Sequence, residues 1–235
     1  MTSAFILAGG QGKRLLPYTQ VLPKPLMPLG NRTIIENLID QITKSGITKI
    51  TVSLGYLGYL IESVLEPYGK QMDLSFTRET KPLGTAGALS LIPKKNLNSE
   101  ILVINGDTLT NFKFNKAIEK YKESKADILI VCKSRINIVD FGVIEIGEED
   151  NFIKYNEKPS QNLIVSTGIY VLRPAIIDKF VPKNIFLDMP TLISNVHKHG
   201  GNVTCMIVPD YWKDLGRIDD LNQANLDFQQ KFNEN

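Results

Sequence analysis

Apolar runs and helical stretches alternate along the first half of the chain. Ala4–Ala8, Lys49–Leu54, Asp73–Arg78 and Glu100–Ile104 read as short apolar strands. Between the first two, Ile34, Ile35, Leu38, Ile39 and Ile42 recur at the spacing of one helical face, with Asn31 as the expected cap. A second helix starts near Gly58 and a third runs from Gly84 to about Leu91. A fourth, Asn115–Ser124, precedes a strand at Asp127–Cys132. The alternation predicts parallel strands joined by crossover helices on both faces of one sheet, a Rossmann-like layered α/β fold.

From about Phe141 the pattern changes. Phe141–Ile146, Phe152–Asn156 and Ile164–Leu172 are strand-like with little helix between them. Ala175–Phe180 and Leu187–His199 then read as helices, Asn202–Val208 as a strand, and Asp219–Phe232 as a closing helix with Asp219 near its start. No repeat, low-complexity linker or composition break divides the 235 residues, a length that supports one substantial core.

The first strand runs directly into Gly9-Gly10-Gln11-Gly12-Lys13-Arg14. Glycines leave backbone N–H groups open and let a ligand approach the main chain. Two cations at the same point make a polyphosphate the expected guest. The familiar phosphate loops do not fit. A dinucleotide fingerprint starting at Gly10 needs a third glycine where Leu15 stands, and a Walker loop needs Ser or Thr where Arg14 stands. Pro23-Lys24-Pro25-Leu26-Met27-Pro28 follows. Each proline fixes its own φ and restricts the residue before it, so Lys24 is expected on a stiff, extended segment. Alone, Pro-Lys-Pro reads as a connector with a solvated lysine; beside the glycine loop it reads as part of a site.

The stretch Leu7-Ala8-Gly9-Gly10-Gln11-Gly12-Lys13-Arg14-Leu15-Leu16-Pro17, with Pro23 to Gly30 after it, resembles the sugar-1-phosphate nucleotidylyltransferases, or nucleotide-sugar pyrophosphorylases. The likeness continues in order through Leu83-Gly84-Thr85-Ala86-Gly87, Asn105-Gly106-Asp107, Glu157-Lys158-Pro159, Thr167-Gly168-Ile169-Tyr170 and Trp212-Lys213-Asp214-Leu215-Gly216. One departure is Lys13, where many members carry Thr. The resemblance implies a three-layer Rossmann-like nucleotidyltransferase fold with a mixed, mostly parallel central sheet. It implies a single domain over 1–235, with a nucleotide-binding half (1–135) and a sugar-binding half (136–235).

The implied reaction is attack by a sugar 1-phosphate oxygen on the α-phosphorus of a nucleoside triphosphate, releasing pyrophosphate. The nucleophile is already an anion, so the demand is for cations, backbone donors and a metal rather than for a side-chain base. Arg14, with the amides of Gly10 to Lys13, is expected to neutralise the β- and γ-phosphates, and Lys24 to bridge the α-phosphate and the sugar phosphate. By resemblance, Asp107 and Asp214 ligate Mg²⁺, which takes one or two carboxylates and completes its shell with phosphates and water. The nucleotide is expected against Leu7, Ala8, Gly9, Gly10, Gly12, Lys13, Glu79, Pro82, Gly84, Thr85 and Asp107. Gly142, Glu157, Lys158, Thr167 and Gly168 are expected around the sugar phosphate.

Glu79 stands where thymidylyl-type relatives usually carry Gln. A carboxylate only accepts, which suits the N1–H and N2 amino donors of guanine, suits cytosine in part, and repels the O4 of uracil or thymine. GTP is therefore expected. Mannose, heptose and glucosamine 1-phosphates stay open as the sugar, with Phe141-Gly142-Val143 and Leu187-Asp188-Met189-Pro190 resembling short bacterial guanylyltransferases. The rival readings are a UTP-, dTTP- or CTP-dependent enzyme of the same kind, a cytidylyltransferase for a phosphorylated small alcohol, and a non-catalytic nucleotide-sugar sensor.

A net charge of +2 with no like-charge run argues against nucleic acid as a partner. The chain has no apolar stretch of about 18 residues and no basic-then-apolar leader, so no membrane association is expected and a cytoplasmic location is. Cys132 and Cys205 lie in apolar, strand-like surroundings and are expected to be reduced core residues. With His197 and His199 they show no metal-ligand spacing. Some relatives continue into a left-handed β-helix after the last helix; without one, a monomer or homodimer is expected.

Overall fold

The computed structural model describes residues 2–231. β1 (Ser3–Ala8), buried except for the half-buried Leu7, ends at the glycine loop. A series of 3-10 turns then leads to a hairpin of β2 (Pro28–Leu29) and β3 (Arg32–Thr33). Helix α1 (Ile34–Lys44) buries Ile34, Ile35, Leu38, Ile39 and Ile42, the predicted face. Its cap is Thr33, not Asn31. The Thr33 hydroxyl accepts from the Glu36 amide at 3.3 Å, and the Glu36 carboxylate accepts from the Thr33 amide at 2.8 Å. Asn31 falls in the hairpin turn instead, because strands of two residues carry no readable period.

β4 (Lys49–Leu54), α2 (Gly58–Leu65) and β5 (Asp73–Arg78) follow at the predicted positions. The third helix divides into α3 (Gly84–Gly87) and a 3-10 turn that ends at Leu91. Next come β6 (Ile101–Asn105), β7 (Thr108–Thr110), α4 (Phe114–Ser124) and β8 (Ile128–Ile138). β9 (Val143–Ile146) and β10 (Phe152–Asn156) form a separate antiparallel pair. β11 (Ser160–Leu172), α5 (Pro174–Phe180), α6 (Met189–Lys198), β12 (Val203–Ile207), β13 (Trp212–Asp214) and α7 (Ile218–Lys231) complete the fold. Phe232, in the predicted closing helix, lies outside the described residues.

Seven strands form one sheet in the order β12-β8-β11-β6-β1-β4-β5. β1 is parallel to β4 and β6, β4 to β5, and β8 to β12, whereas β11 runs antiparallel to β6 and β8. Both halves of the chain thus contribute strands to one mixed, mostly parallel sheet. On one face, Ile39 and Ile42 of α1, Ile61 of α2 and Ala117 of α4 pack against Ile6, Val52 and Ile104. On the other, Ile177 of α5 and Leu192 of α6 pack against Phe5, Val103 and Leu172.

Cys132 is buried, as expected, but Cys205 is exposed, on β12 at the edge of the sheet. Among the described residues, no helix is long and apolar enough to cross a membrane.

Candidate active site

The carboxyl ends of β1 and β6 open at the same edge of the sheet, where α/β folds bind ligands. After β1 the chain turns through Gly12 at φ 62°. A Cβ there would also stand 3.2 Å from Cβ of Lys24, so glycine is required on two counts. The Thr19 hydroxyl donates to the Gly12 carbonyl at 3.1 Å and fixes the turn.

Lys24 is not extended. It opens a 3-10 turn, Lys24–Leu26, and is only 6% exposed. Pro25 occupies an early turn position whose N–H would have no intrahelical partner, so the proline favours a turn in place of the expected extended segment. The Lys24 ammonium donates to Asp107 Oδ2 and lies 3.3 Å from Asp214 Oδ1. Arg14 Nη2 lies 3.4 Å from the other oxygen of Asp214. Two cations from the N-terminal loop region and two acids from distant parts of the chain therefore form one continuous chain of ion pairs. The buried ammonium is compensated by its two carboxylates.

The pairing of β7 with β13 makes this possible. Thr108 stands opposite Asp214, so Asp107 and Asp214 arrive on neighbouring strand ends. A small apolar cluster of Met27, Leu29, Ile34, Leu109, Leu215 and Ala224 holds the lysine segment, both short strands and α7 together.

A cavity of about 280 Å³ is lined by Leu7, Ala8, Gly10, Gly12, Lys13 and Arg14 of the loop, and by Lys24, Pro25, Asp107 and Gly216. A neighbouring cavity of about 300 Å³ shares Leu7, Gly10 and Asp107 and adds Gly9, Glu79, Pro82, Gly84, Thr85, Asn105 and Phe186. Every residue expected around the nucleotide lines one of the two. Beyond Asp214, a third cavity of about 570 Å³ is rich in charge of both signs, with Arg14, Lys133, Arg135, Lys213 and Arg217 against Asp214, Asp220 and Asp227.

Glu79 is a fixed acceptor. Its Oε2 accepts from the Leu83 amide at 2.9 Å, and the Ser53 hydroxyl lies 3.4 Å from its Oε1. The Thr85 hydroxyl accepts from the Met189 amide at 2.8 Å, so part of its capacity ties α3 to α6. The Ala86 and Gly87 amides both donate to the Leu187 carbonyl, which seats the loop before α6 against α3 and brings Phe186 to the second cavity. Sequence reading missed Phe186; the apolar pair Ile185-Phe186 in a loop was the available signal.

None of the residues expected around the sugar phosphate lines either of these two cavities, although Gly168 lies against Asn105 of the second. Thr167 is buried, its hydroxyl donates to the Val131 carbonyl at 2.7 Å, and its carbonyl accepts from Trp212 Nε1 at 2.8 Å. Its polar atoms are thus engaged in structure. Gly168 faces the Asn105 side chain. Gly142 lies against the Tyr155 hydroxyl, and Glu157 and Lys158 are exposed in the turn between β10 and β11.

No group of three or more metal-ligating side chains occurs among the described residues. The converging pair Asp107 and Asp214 matches the donor set of Mg²⁺, a hard cation that takes few carboxylates and shares phosphate oxygens. His197 and His199 are exposed at the end of α6.

The nucleotidyl transferase family matches residues 3–231. The chain is 32% identical over 228 residues to a mannose-1-phosphate guanyltransferase of Debaryomyces hansenii, covering 92% of this chain and 61% of that protein. It is 29% identical over 227 residues to the catalytic subunit beta of mannose-1-phosphate guanylyltransferase from Dictyostelium discoideum, covering 93% and 62%. It therefore spans about three fifths of the length of these curated relatives. Among solved structures it resembles HddC from Yersinia pseudotuberculosis complexed with GMP-PN, with a TM-score of 0.75 and 26% identity over 97% of this chain and 100% of that one. It also resembles a putative glucose-1-phosphate thymidylyltransferase from Bacillus anthracis, with a TM-score of 0.76 and 25% identity over 96% and 94%. With the glycine loop, the lysine turn and both aspartates inside the matched span, the chain belongs to the nucleotidyl transferase family.

Proposed function

We propose that the protein transfers a nucleotidyl group from a nucleoside triphosphate, GTP in preference, to a sugar 1-phosphate. The observation that carries this reading is the Lys24 ammonium in the glycine-loop cavity, held between Asp107 and Asp214, with Asp107 on the wall shared by both cavities. The glycine-loop cavity takes the phosphates and the Glu79 cavity takes the base. Asp107 lines both, which supports a reading with the α-phosphorus at their junction.

A sugar-phosphate oxygen forms a bond to that phosphorus, and the bond from the α-phosphorus to the bridging oxygen breaks. The electron pair leaves on pyrophosphate. No proton need be removed from the nucleophile, in keeping with the remoteness of both histidines. Lys24 offsets the charge of the two phosphates that must meet. Arg14, with the loop amides, stabilises the charge that grows on the leaving pyrophosphate. Asp107 and Asp214 would hold Mg²⁺, which supplies further charge neutralisation when bound.

Three observations support guanine. Glu79 offers acceptors only, and its carboxylate is oriented by the Leu83 amide. The curated relatives named above are guanylyltransferases. HddC was solved with GMP-PN. For the sugar, mannose, heptose and glucosamine 1-phosphates are the candidates, and the exposed Glu157–Lys158 turn is the group proposed to close on it.

Purified protein with Mg²⁺, each common nucleoside triphosphate and each of the three sugar 1-phosphates tests this, with pyrophosphate release as the readout. Release with GTP and one of these sugars is expected. A preference for UTP or dTTP overturns the guanine assignment, and binding without release in any combination overturns the enzyme reading in favour of a sensor.

A further inference from the structure

We infer that the arm formed by the outer halves of β8 and β11 and by the β9–β10 pair is the contact surface between two copies of this chain. Beyond Cys132, β8 leaves the layer that the helices cover. From there to Ile138 it is paired with β11 alone. Ile138 stands opposite Ser160, Ile136 opposite Asn162, and Ser134 opposite Ile164, so the three isoleucines share one face. In the second pair, Ile144 stands opposite Tyr155 and Ile146 opposite Phe152. These seven residues, with Phe141 before β9, are each between 51% and 78% exposed.

Eight large apolar residues, each more than half exposed along one arm, go beyond the singly scattered hydrophobics of an ordinary monomer surface and mark an interaction site. The stripe is also neutral. Between its isoleucines lie Ser134, Ser160 and Asn162, and a hydrogen bond of 2.6 Å joins Ser134 to Asn162. A surface without formal charge offers no complement to a charged partner, whereas a twofold axis brings identical apolar stripes together. Strand pairing reinforces this. β11 gains β6 as a neighbour only from Ile169, and β8 loses β12 after Cys132, so both edges of the arm are open over Ser134–Ile138 and Ser160–Ser166. Open edges of this kind are templates for a further strand. The occupant is therefore a second copy of the same arm.

The arm also carries Gly142, Glu157 and Lys158, so the contact would steady the turn proposed above to meet the sugar phosphate. That consequence rests on the proposed function; the interface itself does not.

Sedimentation velocity of the purified chain from about 1 to 100 µM should give a dimer, the micromolar range being where interfaces of modest affinity are half-formed. Ile136→Asp and, separately, Phe152→Asp should each shift the population to monomer with an unchanged far-UV spectrum. On the unmutated chain, backbone hydrogen exchange at 134–138 and 160–166 should slow as concentration rises. A chain monomeric throughout overturns the proposal. So does a dimer that both variants leave intact, or exchange at these segments that ignores concentration. Because none of these readouts involves nucleotide, failure of the interface is distinct from failure of the enzymatic reading.

Discussion

A methyl group on Gly216 would stand 2.6 Å from Nη1 of Arg14. The end of β13 and the turn after it thus do two things for one guanidinium: Asp214 holds it at 3.4 Å, and Gly216 leaves room for it. Gly216 has no positive φ, so alanine is unstrained there and only the mobile end of Arg14 must move. Gly216→Ala should therefore leave the melting temperature near that of the wild type. It should lower kcat/KM about 100-fold, as a misplaced catalytic group does. Steady-state kinetics beside a thermal melt separates the two effects, and an unchanged kcat/KM would remove Arg14 from the leaving-group role.

Among the described residues Lys24 is the one buried cation, set in its turn and held by two carboxylates. Lys24→Met keeps much of the side-chain volume and removes the charge. It leaves Asp107 and Asp214 facing each other, so some stability should go with activity. Turnover should fall by about 100- to 1,000-fold, the usual effect of losing one preorganised electrostatic contact. Retention of half the wild-type rate would show that the ammonium serves only to join the aspartates.

Asp107→Ala should abolish pyrophosphate release at any Mg²⁺ concentration. Asp107 is the one acid on the wall common to both cavities, and its loss would leave Asp214 as the single proposed metal ligand. Nucleotide affinity, followed by titration calorimetry, should change far less than the rate. Substantial residual turnover would move the metal elsewhere.

The parts of this molecule written in local pattern were legible in the sequence. β4, β5 and β10 are bounded runs and fall where the runs fall, and the α1 face is read directly from Ile34, Ile35, Leu38, Ile39 and Ile42. The misreadings have physical causes. Asn31 resembles a cap, but the reciprocal Thr33–Glu36 pair satisfies two amides at once. Proline spacing around Lys24 implied an extended chain, yet a proline early in a turn has no lost hydrogen bond to count against it. Cys205 carries no mark of an edge strand. The pairing of Thr108–Thr110 with Trp212–Asp214 crosses a hundred residues through two three-residue strands, too short for any period to show. That pairing is what unites the two aspartates, so the site could be composed from motifs but not assembled from them.

Glu79→Gln offers the sharpest check on the base. Glutamine keeps one acceptor for the Leu83 amide and turns the other group into a donor, which opposes the N1–H and amino group of guanine and suits O4 of uracil. The ratio of kcat/KM for GTP to that for UTP should fall by at least about 10-fold, the scale set by one mismatched buried hydrogen bond. The better of the two rates should fall less. A ratio unmoved by the substitution would leave base recognition to the backbone.

Away from the site, the α1 cap gives a stability with a defined pH course. Burial of Glu36 opposes its ionisation. The hydrogen bonds from the Thr33 hydroxyl and amide and from the Tyr68 hydroxyl outweigh this and hold the carboxyl below its ordinary 4.5. A carboxyl with a lower pKa folded than unfolded stabilises the protein fully above the unfolded value, and loses that contribution as pH falls through the folded one. Glu36→Gln keeps an acceptor at the cap but cannot titrate. The wild type should therefore melt higher than Glu36→Gln at neutral pH. The gap should narrow once pH drops below 4.5 and close beneath the depressed folded value. Every other titrating group is common to both proteins, so paired melts across this range isolate Glu36. A gap independent of pH would mean that the charge on Glu36 adds nothing to the cap.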